Sequence, residues 1–137
     1  MRIPDKKLRT VVLGYVLSPL GHAALEAAIT ECARRDAKLL VINSTRADRT
    51  VDKNYAFSDD LATLHSILQE SGVTYEVRQF VSEQLASDDV IEAADEVDAE
   101  LIVIGVRRRS PVGKMLMGSD SQRILLQADC NVLAVKA

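Results

Sequence analysis

Short apolar runs recur along this chain, and a stretch with helical spacing follows nearly every one. Thr10 to Val16 and Ala37 to Asn43, the second holding Leu39-Leu40-Val41-Ile42, read as buried strands. Between them Ser18 is a good N-cap and Pro19 suits the first helical position. Leu25, Ala28, Ile29 and Cys32 share one face of a helix that ends near Arg34-Arg35. Ser44 to Ala56 is polar and aperiodic, a long surface connection. Ser58-Asp59-Asp60 then caps a helix carrying Leu61, Leu64 and Leu68 and ended by Gly72. Val73 to Val81 alternates and predicts a half-exposed strand near an edge, and Ser87-Asp88-Asp89 starts a helix with Val90, Ile91, Ala94 and Val97 inward. Leu101 to Gly105 is a fourth strand, Ser119 to about Ala128 a short helix and Asn131 to Lys136 a fifth strand. This order predicts an α/β fold: a parallel sheet with right-handed crossovers and helices on both faces. Ligands of such sheets bind beyond the strands' C-terminal ends, at a topological switch point. If the first and fourth strands are neighbours, Gly14 to Ser18 and Gly105 to Ser119 meet there.

Composition narrows the classes. A chain of 137 residues is expected to form one domain, residues 1–137, with a proper core. A net charge of −3 argues against a nucleic-acid or membrane partner. No apolar run reaches the roughly 18–20 residues that span a bilayer, and Met1 to Leu8 lacks the apolar region of a signal peptide. Two cysteines, Cys32 and Cys130, make no disulfide framework, so a reduced cytoplasm is the expected location. Cys32, on the apolar helix face, reads as a small buried hydrophobe.

Chemistry concentrates between the fourth strand and the last helix, in Gly105-Val106-Arg107-Arg108-Arg109-Ser110-Pro111-Val112-Gly113-Lys114-Met115-Leu116-Met117-Gly118-Ser119. Glycines let backbone N–H groups approach phosphates, and a helix start favours negative charge. The arginines and Lys114 add positive charge to the same loop. Met115, Leu116 and Met117 predict packing under the loop or a subunit contact. The Walker pattern fails, because Met115 follows Gly113-Lys114 and Arg108 stands where its first glycine belongs. No cluster has metal-ligand spacing. His22 and His65 are lone residues, and Asp59-Asp60 and Asp88-Asp89 sit at helix starts, where the dipole explains them. Ser119 has no evident base to make it a nucleophile. An N-cap or a phosphate hydrogen bond is its expected role.

The spacing of Gly105 and Gly118-Ser119, the following Gln122 to Val135, and Ser18-Pro19 ahead of Ala23-Ala24-Leu25 together resemble the universal stress protein family, over essentially the whole chain. The resemblance implies an adenine nucleotide alpha hydrolase-like sheet of five strands in the order 3-2-1-4-5, and a homodimer formed through the C-terminal strand. Some members bind ATP. Carried over, Gly105, Gly118, Ser119 and Ser121 match the loop that holds phosphates and ribose, and Val41 the second-strand position whose backbone contacts the nucleoside. Gly14, Tyr15, Arg107 and Asp120 flank these positions and complete the expected set. This chain departs twice: Val16 stands where nucleotide-binding members have Asp, and Arg108 replaces the second hallmark glycine. Arg108 then either faces phosphate oxygens as a cation or plugs the site. The expectation is a cytoplasmic regulatory or sensor dimer, not an enzyme, that binds ATP or a related phosphorylated ligand, with Mg2+ accompanying the nucleotide and an unknown regulatory protein partner. The alternative is an interaction protein with a degenerate site.

Overall fold

A computed structural model describes residues 9–46, 58–107 and 118–137. The strands are β1 (Arg9–Gly14), β2 (Ala37–Arg46), β3 (Tyr75–Ser82), β4 (Leu101–Val106) and β5 (Asn131–Lys136). The helices between them are α1 (Pro19–Arg35), α2 (Ser58–Ser71), α3 (Ala86–Glu96) and α4 (Ser119–Gln127). The strands form one sheet in the order β3-β2-β1-β4-β5, with every pairing parallel.

The period of two along each strand divides the core. Val11, Leu13, Leu39, Val41, Leu101 and Val103 face one way and pack with Leu25, Ala28, Cys32, Leu64 and Leu68 of α1 and α2. Val12, Leu40, Ile42, Ile102 and Ile104 face the other way and pack with Val90, Ala93, Ala94 and Ile124 of α3 and α4. Burial on both faces explains why the central strands read as unbroken apolar runs. It also holds Cys32 as an inert thiol, its pKa pushed up to about 12 chiefly by desolvation. The edge strands β3 and β5 are half-buried over most of their length.

Several boundaries differ from the sequence expectation, each for a local reason. β1 stops at Gly14 rather than Val16, because the chain turns there toward the cap of α1. β2 runs on to Arg46 because Ser44, Thr45 and Arg46 pair with Phe80, Val81 and Ser82. The expected surface connection therefore loses its first residues to a strand, and 47–56 lie outside the described residues. α1 begins as expected, with Ser18 Oγ accepting from the Gly21 N–H at 3.2 Å. α2 ends into Gly72, whose φ of +76° suits glycine. Ser87 does not start α3: Leu85 is the cap residue, and its carbonyl accepts from the Asp88 and Asp89 N–H groups. Ser119 is likewise not a cap, since Gly118 holds that position without a side-chain bond.

Candidate functional site

The C-terminal ends of β1, β2 and β4 and the N-terminal ends of α3 and α4 enclose a cleft of about 90 Å³ that opens to a wider mouth. Its floor is apolar, made by Ile42, Val90, Ile104 and Ile124. β1 and the turn after it contribute Gly14, Tyr15 and Val16, and β4 contributes Gly105. The polar lining is Ser44 of β2, Ser87 of α3, and Asp120 and Ser121 of α4. Ser87 is 0 % exposed. The hydroxyls of Ser44 and Ser87 are both shielded and, among the described residues, have no hydrogen-bond partner. A buried donor left unpaired costs about 1–3 kcal/mol, so two of them lining one cleft are where a ligand's polar atoms are expected. The N-cap residues of α3 and α4, Leu85 and Gly118, make no side-chain cap bond of their own. The Ser87 N–H instead donates across the cleft to Asp120 Oδ1, at 3.4 Å.

Buried polar contacts shape the β1 side. Asn43, 1 % exposed, donates from Nδ2 to the Tyr15 carbonyl at 3.0 Å, while its Oδ1 accepts from Gln79 Nε2 at 3.0 Å. The Tyr15 N–H reaches the Ile42 carbonyl at 2.8 Å. Together these bonds anchor the turn after β1 to β2 and β3. Asn43→Leu, which keeps the branching but strands the Tyr15 carbonyl and removes the acceptor of the Gln79 amide, is expected to cost about 1–3 kcal/mol, read as a lower urea midpoint at unchanged slope. From Val16 the chain folds back on the first turn of α1 so closely that a Cβ on Gly21 would lie 1.6 Å from the Val16 carbonyl oxygen. A Cβ on Gly105 would lie 2.6 Å from the Leu20 carbonyl oxygen. The lack of a side chain at Gly105 is thus explained by the packing of α1 on β4, whatever else approaches it.

Of the residues the sequence singles out, Gly14, Tyr15, Val16, Gly105, Asp120 and Ser121 are brought together on this cleft. The Tyr15 side chain is buried in the core on the α1 side, where its ring meets His22 edge-on. Burial, then the charge of Asp60, raises its pKa. The Val41 side chain is fully buried on the α1 and α2 face, which leaves only its backbone for the contact the resemblance implies, and Ile42 and Ser44 of the same strand line the cleft. Gly118 and Ser119 are exposed just before Asp120, and Arg107 is exposed at the end of β4. Arg108, with Arg109 and Lys114, lies outside the described residues, as do Met115, Leu116 and Met117. His65 is half-buried, with Nδ1 3.1 Å from the Tyr75 hydroxyl. The acidic pair in α3 does more than meet a dipole. Asp88 pairs with Arg123 at 2.9 Å, and Asp89 accepts from Ser82 Oγ and Gln84 Nε2, bracing α3 against α4 and β3. The start of α3, with Ser87, is the wall that no sequence motif marks.

Residues 7–136 match the sequence model of the universal stress protein family. The chain belongs to that family. A universal stress protein of Mycolicibacterium smegmatis is 48% identical over 92% of this chain and 96% of its own length. Among solved structures, a universal stress protein from Archaeoglobus fulgidus superposes with a TM-score of 0.80 at 32% identity, over 96% of this chain and 100% of that one. Another family member, solved in complex with cAMP, gives a TM-score of 0.72 at 26% identity over 95% and 98% of the two chains. The 3-2-1-4-5 sheet is therefore the family's fold as well as this chain's. Among the described residues no helix is long and apolar enough to cross a membrane.

Proposed function

We propose that this protein is a single-domain regulatory or sensor protein that binds an adenine nucleotide, ATP or a related phosphorylated ligand, in the cleft between β1, β4 and the start of α4. The observation that carries this reading is the pair of buried, unpartnered hydroxyls on an apolar floor, Ser44 and Ser87. A flat heterocycle offers both apolar faces and polar edges to such a floor, and the start of α4, whose N-cap residue makes no side-chain bond, suits the anionic end of the ligand. The family member solved with cAMP supports an adenine-type ligand. In this reading Gly118 and Ser119 approach the phosphates, and Arg107 and Arg108 supply positive charge. Mg2+ arrives with the phosphates, since no group of three or more His, Cys, Asp or Glu is placed to hold a metal ion among the described residues. In this reading the cleft binds rather than turns over, and any ATP hydrolysis is slow and incidental. The expected workplace is the cytoplasm, and the regulatory partner is a protein rather than nucleic acid or membrane.

Mass spectrometry of gently purified protein, followed by calorimetric titration with ATP and AMP, tests this reading. Co-purified nucleotide and saturable binding support it. The rival is a partner-binding protein with a degenerate site, which Val16 favours by standing apolar and 37% exposed on the cleft. Absence of nucleotide in both measurements selects that rival.

Assembly belongs to the same proposal. β5 is an edge strand whose Val132, Leu133, Ala134 and Val135 are only half-buried. An open apolar edge invites a second strand, and a self-pairing edge gives an isologous dimer. Light scattering at micromolar concentration is expected to show a dimer, and Leu133→Lys or Val135→Lys to shift it to monomer. A native monomer, or a dimer indifferent to both changes, removes this part of the proposal.

A further inference from the structure

Nothing fixes which way the hydrogen bonds of the two shielded serines run. Ser44 lies two residues beyond Ile42 on β2 and so shares the α3 face of the sheet. Ser87, 0 % exposed, follows Ala86 in the first turn of α3. Both residues line the cleft and, among the described residues, neither hydroxyl has a partner. Neighbouring groups of fixed polarity are engaged. The Tyr15 N–H donates to the Ile42 carbonyl, the Tyr15 carbonyl accepts from Asn43 Nδ2, and the Ser87 N–H donates to Asp120 Oδ1. Asp120 itself is exposed at the start of α4, whereas the two hydroxyls are shielded. A polar group buried in the cleft thus meets hydroxyls, and a hydroxyl donates or accepts according to how its hydrogen is turned.

We infer that Ser44 and Ser87 meet the polar edge of the bound base, and that the cleft therefore takes 6-oxopurine nucleotides as readily as adenine nucleotides. This rests on the nucleotide reading and widens its ligand class, with the phosphates at the start of α4. Adenine offers a donor, its 6-amino group, beside the acceptor N1. Hypoxanthine offers the reverse, a 6-oxo acceptor beside the N1–H donor. A site rejects one of two such bases when that base leaves a fixed donor or acceptor unpaired. Two rotating hydroxyls suit both. The apolar floor of Ile42, Val90, Ile104 and Ile124 receives the ring face and is indifferent to the 6-substituent. A purine with only hydrogen at position 6 still covers that floor but forfeits one hydrogen bond.

The experiment is calorimetric titration of the full chain, native and with Ser44→Ala and Ser87→Ala combined, against AMP, inosine 5′-monophosphate and purine riboside 5′-monophosphate. The three ligands share sugar and phosphate and differ at the base edge alone. Native protein is expected to bind AMP and inosine 5′-monophosphate within about threefold of each other, and purine riboside 5′-monophosphate about tenfold more weakly, the scale of one lost hydrogen bond. The double variant is expected to bind all three alike, at or below the native affinity for purine riboside 5′-monophosphate. Its melting temperature is expected to be no lower than the native one, since the change removes two hydroxyls whose burial is unfavourable without a ligand. A larger native preference between AMP and inosine 5′-monophosphate, in either direction, overturns the inference, because a group of fixed polarity then selects the base. A double variant that keeps the native affinities overturns it too, as does native protein that takes all three ligands equally, and in both cases the nucleotide reading stands. Native protein that takes none of the three overturns the nucleotide reading, and this inference with it.

Discussion

Gly21→Ala is expected to destabilise the protein by about 2–4 kcal/mol, the sum of an overpacked contact and a weakened helix cap. The added methyl would sit 1.6 Å from the Val16 carbonyl oxygen and 2.8 Å from its carbon. No side-chain rotation relieves a clash between a Cβ and a backbone carbonyl. Either the turn after β1 lifts away or the first turn of α1 opens, and the second route sacrifices the bond from the Gly21 N–H to Ser18 Oγ. For a chain of this size the melting temperature falls by roughly 10 °C. Gly105→Ala, 2.6 Å from the Leu20 carbonyl oxygen, follows the same course less severely. Gly14→Ala is the control, since its methyl meets Ile104 and Val90 at an ordinary 3.4 Å. A Gly21→Ala protein that melts with the native chain shows that the turn has room to move.

At Gly118 the reasoning inverts. Its φ of −60° and ψ of 155° suit any residue, and among the described residues nothing lies within 4 Å of a Cβ placed there. Neither backbone conformation nor packing asks for glycine. The fold is therefore expected to tolerate Gly118→Val, with an unchanged circular dichroism spectrum and melting temperature. Nucleotide binding is expected to fall by about a hundredfold or more, because the new side chain fills the approach to the N–H groups that start α4. Ser119→Ala loses less, one hydrogen bond to a charged group at about 1.5–3 kcal/mol. Calorimetry with ATP reads the ordering. Equal affinity in the native and Gly118→Val proteins moves the site elsewhere.

The sheet was legible because its signal is local and repeated. Leu39 to Ile42 and Leu101 to Ile104 can be buried on two faces only inside a helix-covered parallel sheet, and Ser18-Pro19 announces a helix by its own chemistry. The cleft was legible where one chain segment carries it, as in Gly14 to Val16 or Asp120-Ser121. It was not legible where a crossover brings a wall from far away. α3 leaves the edge strand β3 and packs back across β2 and β1 on its way to β4, and that path brings Ser87 to the cleft that Ser44 also lines. Nothing in Ala86-Ser87 distinguishes it from an ordinary helix start. Asn43 reads as a strand's last polar residue until the sheet puts the Tyr15 carbonyl beside it. Gly21 looks like a weak helix former, and only the backward fold of Val16 shows that no other residue fits without displacing backbone. The glycine signal of Gly105 was legible but had a second cause, the Leu20 carbonyl behind it.

The pairing of β1 with β4, Val12 beside Ile102, sets when the cleft can exist. Its two central strands are joined only after β2 and β3 have been made, and closing so long a loop is slow relative to forming any single helix. A nascent chain that has emerged only through α3 has the turn after β1 but lacks Gly105, Asp120 and Ser121. It therefore has nothing for a ligand to hold together. Whatever the cleft binds acts on the finished sheet alone. Its concentration adds to the stability of the native state and leaves the unfinished chain unaffected. On the proposed nucleotide reading, the amount of folded protein in a cell is thereby tied to the supply of that ligand.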